Sequence, residues 1–423
     1  MQKTLYLFLI LFMVVTSCVE IPQPYDKIPP GIWRGTLVLE DDPETDKYDT
    51  VLPFNFEVKY HAEDQVKMII HNAEERIEVS DIKFSHDRRT GRDSIWIDFP
   101  LMDTHIEAEY KDNIIQGRWH VHYRENYSIP FLAYHGNNKR FMNVDEPKHD
   151  LTGEWNVTME IETEDAYPAL GDFKQDGNLL TGTFETETGD YRYLEGVVSG
   201  DEFMLSCFDG SHAFLFDGKI TDEGNLLGRF LSGVHYNVNW IGSRDGDHNM
   251  TDPFEFSRLK NENEPVDFTF INTNGESISL NDEKYQGKPK IVKLMGTWCP
   301  NCLDETNFLL EYFDQNPEKK IDIISIAFER YRDETKAIEM VKRYKTKKNI
   351  PWEMLYGGYY DKTEATKTFK ILEKIKSYPT LIFLNEDNQV QKIYTGFAGP
   401  ATKEYQKFKI EFDNIVTELL SES

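Results

Sequence analysis

The sequence predicts a multidomain chain in which an all-β region, built from two repeats, precedes an α/β domain. Three observations predict it. The 423 residues exceed one ordinary core, since a domain takes roughly 100–200 residues. Up to about residue 245 apolar residues alternate with period two, whereas from 265 onward fully apolar runs alternate with helical patterns. Finally, Gly31-Ile-Trp33 followed by Thr36-Leu37-x-Leu39-Glu40 recurs as Gly153-Glu-Trp155 followed by Thr158-Met159-x-Ile161-Glu162, displaced by 122 residues.

The N-terminus opens on Met1-Gln2-Lys3, an apolar run of eleven from Leu5 to Val15, and Thr16-Ser17-Cys18. Eleven apolar residues are too few to cross a bilayer, which takes about 20. The basic start and the small residues before a lone cysteine mark a secretory signal with a cleavage site. The pattern resembles the bacterial lipobox, which implies that residues 1–17 are a lipoprotein signal peptide and that Cys18 carries lipid. Residues 18–27, rich in proline, read as a spacer. The expected place is the cell envelope, lipid-anchored to a membrane and facing the periplasm or the exterior.

Two β-meander domains follow, at 28–140 and 148–245. Runs such as Phe54-Asn-Phe-Glu-Val58 and Ser94-Ile-Trp-Ile-Asp-Phe99 carry one buried face each, and Asp176-Gly177 and Asp209-Gly210 supply turns. Near the close of the halves stand Asn113-Ile-Ile-Gln-Gly117-Arg-Trp119 and Asn225-Leu-Leu-Gly228-Arg-Phe230, a second repeated feature. A Gly-x-Trp strand start in a meander resembles the lipocalin-like small barrels; small barrels or sandwiches are expected, as a fold analogy and not a function. His120-x-His122 reads as two strand histidines and not a metal site. The aromatic and polar stretches Gly189–Gly196 and Ser206–Phe214 read as core and hairpin, and no site is placed there.

Residues 246–264 are polar and aperiodic, a linker. The α/β domain spans 265–423. Val266–Ile271 and Glu276–Leu280 flank Asn274-Gly275, a hairpin signal. Strands are expected at Lys290–Met295, Ile321–Phe328, Trp352–Tyr356, Thr380–Leu384 and Val390–Tyr394. Helices are expected from Cys299 to about Phe313, Asp333 to Lys345, Lys362 to Ile375 and Lys403 to Leu420.

Composition bounds the function. The 74 acidic against 47 basic residues give a net charge of −27, which repels phosphates and excludes nucleic acid as a natural partner. Of four cysteines, Cys207 stands alone and Cys299-Pro300-Asn301-Cys302 holds the one close pair. Zinc would need two further ligands, yet residues 265–423 contain no histidine and no second Cys-x-x-Cys. A structural disulfide inside one helical turn would close a tiny loop and stabilise little. At a strand–helix junction, the unpaired amides of the helix favour a thiolate on Cys299. Cys302, one turn in, is expected to be the more buried. No cofactor and no metal are expected.

Gly296-Thr-Trp-Cys-Pro-Asn-Cys302, Glu305, the opening hairpin and Tyr378-Pro379-Thr380 before Leu381-Ile-Phe-Leu-Asn385 resemble the thioredoxin superfamily, and within it the TlpA/ResA-type extracytoplasmic thiol-disulfide oxidoreductases. The resemblance covers about residues 265–421. It implies a thioredoxin fold, a redox-active disulfide between Cys299 and Cys302, and a cis Pro379 facing it, with Tyr378 offering backbone bonds to an incoming chain. Thioredoxin keeps a buried aspartate where this sequence has Lys293. Glu305 thereby becomes the candidate proton acceptor, Lys293 its expected partner, and Trp298 a supporting residue. The implied partners are dithiol or disulfide groups of exported proteins and a membrane thiol as electron donor. The alternative is an envelope lipoprotein whose β repeats bind a ligand or partner, with the thioredoxin-like domain accessory.

Overall fold

The computed structural model describes residues 27–40, 50–62, 65–245, 250–262 and 264–421. The leader, Cys18 and much of the spacer lie outside the described residues. Strands β1 (Gly31–Glu40), β2 (Thr50–Ala62), β3 (Gln65–Asn72), β4 (Glu75–Val79), β5 (Ile82–Asp87), β6 (Arg92–Phe99), β7 (Thr104–Lys111), β8 (Ile114–Val121) and β9 (Ser128–His135) form one antiparallel sheet. Its order is β4-β3-β2-β1-β9-β8-β7-β6-β5, so the meander curls until its first and last strands pair. Alternation decides the faces. In β6, Ile95, Ile97 and Phe99 are buried between partly exposed neighbours.

The second half repeats the plan and closes it. Its strands are β10 (Gly153–Met159), β11 (Tyr167–Asp176), β12 (Leu179–Thr186), β13 (Gly189–Asp190), β14 (Leu194–Ser199), β15 (Glu202–Phe208), β16 (Ala213–Ile220), β17 (Leu226–Ser232) and β18 (Tyr236–Ser243). β11 pairs with β12 and β10 with β18, which turns the sheet into an antiparallel barrel with β13 outside the ring. Side chains fill a barrel of this size: Phe216 stacks on Phe184 at 4.4 Å and on Phe230 at 4.3 Å, beside Trp240. The repeat seen in the sequence has a common geometry. Trp33 Nε1 donates to Pro29 O at 3.0 Å and Trp155 Nε1 to Leu151 O at 2.9 Å, each four residues back. Gly117 and Gly228 recur because the neighbouring strand leaves no room: a Cβ would lie 2.0 Å from Glu107 O in one and 2.2 Å from the Trp240 ring in the other.

The two β halves share a core. Phe208, Ala213, Leu215 and Leu231 of the barrel pack into the cluster built on Trp33, Phe54 and Phe131, with Phe54 and Phe208 ring centroids 4.5 Å apart.

The third sheet belongs to the α/β domain. Its elements are β19 (Thr269–Asn272), β20 (Ser277–Ser279), β21 (Lys290–Met295), α1 (Pro300–Gln315), β22 (Asp322–Glu329), α2 (Glu334–Lys347), β23 (Glu353–Tyr359), α3 (Lys362–Thr368), β24 (Thr380–Leu384), β25 (Val390–Thr395) and α4 (Tyr405–Ser421). The order is β20-β19-β23-β22-β21-β24-β25, with β21, β22 and β23 parallel and β24 antiparallel to β21. Every residue of β21 and β24 is buried, as a sheet covered on both faces requires. Helices α1 and α4 pack Phe308 and Phe412 on Ile291 and Leu381, while Val341 and Tyr344 of α2 cover Val292 and Leu294 on the other face.

Two expectations need correction. The helix expected to reach Ile375 ends at Thr368, because Phe369 and Leu372 turn into the core and Leu372 bridges Leu259. The described part of the 246–264 linker is not a free tether: Lys260 N donates to Ile371 O and Thr395 N to Pro253 O.

Candidate active site at the Cys299–Cys302 turn

Strand β21 runs out of the sheet at Met295, and α1 begins at Pro300, whose missing N–H suits a first helical position. Cys299 is thereby the N-cap, in extended conformation, with Sγ accepting from Cys302 N at 3.2 Å. Cys302 is fully buried and Cys299 is 7% exposed. Burial, then the hydrogen bond to Cys299, pushes the Cys302 thiol well above its ordinary range. The Tyr378-Pro379 peptide bond is cis, and Tyr378 O lies 3.6 Å from Cys299 Sγ. Trp298 is held by Nε1–H to Phe328 O at 2.9 Å, edge-on to Tyr378 and Tyr360.

Beneath the cysteines sits a buried ionic cluster. The Lys293 ammonium donates to Cys302 O at 2.9 Å and Thr306 Oγ1 at 2.8 Å, and it lies 3.1 Å from Glu305 Oε2. Both side chains are wholly inaccessible. Lys293 is the one charged partner the Glu305 carboxylate meets among the described residues. Burial raises the Glu305 carboxyl to about 7, against the pull of Lys293. The structure thus brings Cys299, Cys302, Lys293, Glu305, Trp298, Tyr378 and Pro379 around one turn. Cys18 lies outside the described residues.

Sequence reasoning missed the acid at the end of β22. Glu329 is buried, accepts from Thr297 N at 3.0 Å and Thr297 Oγ1 at 2.8 Å, and is raised to about 7 by its burial. Its signal was an acid extending a nearly continuous apolar strand beyond Phe328.

It also missed the wall that the barrel places against this turn. Gly189 packs on Asn301 so closely that a Cβ would lie 2.2 Å from Asn301 Nδ2, and its φ of +143° is one that side chains rarely adopt. Asn301 Nδ2 donates to Asp190 O at 3.3 Å, Ser377 Oγ to Thr188 O at 3.0 Å, and Gly399 N to Asp190 Oδ2 at 2.9 Å. Buried Arg192 then ties three domains, pairing with Asp304 of α1, Glu75 of β4 and, at 3.3 Å, Asp209. Burial raises Asp304 to about 7 despite Arg192. What stays open beside Cys299 is a cleft of about 270 Å³ between Thr188–Tyr191, His212 and Phe214 on one side and Trp298–Asn301, Lys362 and Tyr378 on the other. The sequence reading that placed no site at 189–196 and 206–214 is corrected by this contact.

Side chains of the types that can ligate a metal gather elsewhere. His105, Glu107 and His120 on β7 and β8 present ligand atoms within 4.8 Å of one another, and His105 also stacks on Trp96 and contacts His122. Among the described residues no such group includes Cys299 or Cys302.

A cysteine pair at a strand–helix turn, a cis proline opposite it and this sheet order define a thioredoxin-type domain of the thiol-disulfide oxidoreductase kind. The Redoxin family matches residues 260–407. An uncharacterised protein of Haemophilus influenzae is 28% identical over 142 residues, covering 31% of this chain and 83% of its own length. The thiol-disulfide oxidoreductase ResA of Bacillus thuringiensis is 28% identical over 143 residues, covering 33% and 71%. A solved thiol:disulfide interchange protein from Chlorobium tepidum, of the thioredoxin family, is 21% identical, covers 38% of this chain and 99% of its own, and gives a TM-score of 0.28. The C-terminal part of the chain thus matches the Redoxin family and is similar to ResA thiol-disulfide oxidoreductases.

Proposed function

We propose that the chain is a TlpA-type thiol-disulfide oxidoreductase of the cell envelope, anchored through lipid on Cys18, that reduces disulfides of exported proteins through Cys299 and Cys302. One observation carries the reading: Cys299 Sγ sits between the Cys302 amide and the carbonyl before a cis proline, above a fully buried second thiol. An extended substrate segment would lie along Tyr378. The Cys299 thiolate attacks one substrate sulfur, the substrate S–S bond breaks, and the other sulfur leaves as a thiolate. Cys302 gives its proton to Glu305 and attacks the Cys299 sulfur. The Cys299–Cys302 bond forms as the mixed disulfide breaks, and two electrons have passed to the substrate. A membrane thiol carrier with two thiols returns two electrons by the reverse exchange, its own pair ending as a disulfide.

The test is Cys302→Ala in the full chain, which removes the resolving thiol. Mixed disulfides with envelope proteins should accumulate on Cys299 and run as adducts on non-reducing gels. Absence of reducible adducts, with Cys299 still open to alkylation, would sink the reading. Labelled fatty acid appearing in the native chain but not in Cys18→Ala checks the anchor.

A further inference from the structure

The cleft over Cys299 has a second cavity, of about 320 Å³, as its neighbour, the two sharing Tyr191, His212 and Phe214 as lining. Tyr123 and Tyr127 from the first β domain and Arg330 from the end of β22 complete the part that matters here. All three domains therefore contribute to its lining, and the lining is mainly aromatic.

Arg330 is the feature that needs explaining. Its guanidinium lies 4.0 Å from the Tyr123 ring centroid and 4.2 Å from that of Trp298. Two rings fix its plane by cation–π attraction. Its Nη1 is buried and has no hydrogen-bond partner among the described residues, which costs free energy until an acceptor arrives. A second cation, Arg124, lies 5.4 Å over the Tyr127 ring. His235, also in the lining, is pulled down to about 4 by burial and then by Arg124 and Arg330, so at neutral pH it adds no charge. In a chain of net charge −27 this is a locally cationic chamber walled by rings, the make-up of a site for an anion on an apolar body.

We propose that this cavity binds a carboxylate carried beside the substrate's disulfide, namely an acidic residue in an apolar peptide segment that flanks the reactive cysteine. The proposal rests on the oxidoreductase reading for where the disulfide sits, and on Arg330 for the anion. The rings cover the apolar part of the segment while the Arg330 guanidinium, which lines the cavity, meets the carboxylate, and the shared wall places the neighbouring sulfur in the cleft of Cys299. Substrate choice then depends on the β domains and not on the thioredoxin-type domain alone.

Two ten-residue peptides, identical except for Glu or Gln two positions from their one cysteine, test it. Binding of their S-methylated forms to the full chain is followed by tryptophan fluorescence, without sulfur chemistry. The Glu peptide should bind roughly tenfold or more tightly, the factor a charge-assisted hydrogen bond supplies. Arg330→Gln should bring the ratio to about one and Arg330→Lys should restore part of it. A ratio near one in the native chain overturns the proposal whether or not the variants fold, and so does a tenfold ratio that survives Arg330→Gln. Disulfide forms of the same peptides and a small dicarboxylate disulfide are then offered to the reduced chain. Preference for the small compound over the Glu peptide would reassign the anion to a free small molecule and overturn the peptide assignment. If the Glu peptide binds preferentially but no disulfide is reduced, the oxidoreductase reading fails and the cavity assignment stands.

Discussion

Replacing Glu305 by Gln isolates the proton chemistry of the buried thiol. Glu305 stands one helical turn beyond Cys302, wholly buried, with its carboxyl near 7 and Lys293 as its charged partner. The Cys302 thiol lies well above its ordinary range. In the native chain, the rate at which Cys302 resolves a mixed disulfide should rise with pH and level off above about 7, as Glu305 ionises. In Glu305→Gln the same step must follow the Cys302 thiolate fraction alone, so it should climb tenfold per pH unit through pH 9. Loss of a positioned base costs roughly 100-fold or more at pH 7. Attack by Cys299 on a substrate should change little. Stopped-flow release of a chromogenic thiol reads both steps. Superimposable pH profiles for the two proteins would refute the reasoning.

The same substitution has a stability signature. Glu305 is raised from 4.5 to about 7 in the native state, so the folded chain binds its proton more tightly than the unfolded chain does. That contribution is fully present below pH 4.5 and is lost as pH rises through about 7. A shift of this size corresponds to about 3 kcal/mol at ~1.4 kcal/mol per unit. Asp304 and Glu329 act in the same direction, so native stability should fall over this window in any case. The difference between the native and Glu305→Gln unfolding free energies, read from urea titrations, should therefore move by about 3 kcal/mol between pH 4.5 and 8, and a constant difference would count against a raised carboxyl.

Other consequences are as direct. Arg192→Met leaves Glu75, Asp209 and Asp304 without their shared cation; urea unfolding at pH 7 should show a loss of roughly 3–5 kcal/mol, and a loss below about 1 would mean that water reaches the acids. Gly189→Val drives a Cβ into Asn301 at a φ of +143°, costing roughly 1–3 kcal/mol of local strain. The barrel edge should lift, and Cys299 alkylation should quicken several-fold; an unchanged rate would show that the edge does not limit access.

Where the sequence was legible, local pattern was enough. Lys293 stands between Ile291-Val292 and Leu294-Met295 in one strand and Glu305 follows Cys302 by one turn on the inward face of α1, so their pairing could be anticipated from two periodicities. The repeated Gly-x-Trp marked strands that begin alike, down to the Trp Nε1–H bonded four residues back. The end of α3 was hidden because a contact with Leu259, more than a hundred residues earlier, decides it. Closure of the second meander but not the first turned on the β11–β12 pairing, which alternation alone does not encode.

The junction was hidden for a stronger reason. Glu75, Asp209 and Asp304 each look like ordinary solvated acids in sequence, and Arg192 like a hairpin residue. Only the fold gathers them. Asp304 shows what that does to the site: it lies on the catalytic-type helix, two residues after Cys302, yet its carboxyl is raised to about 7 by burial and held ionisable by an arginine from the barrel. Exposed at a helix start it would stay a plain carboxylate, favoured by the dipole. The β domains therefore set the charge beside the cysteines as well as the shape above them. A chain whose barrel edge is displaced should differ from the native one in the pH dependence of Cys299 reactivity, and not only in its rate.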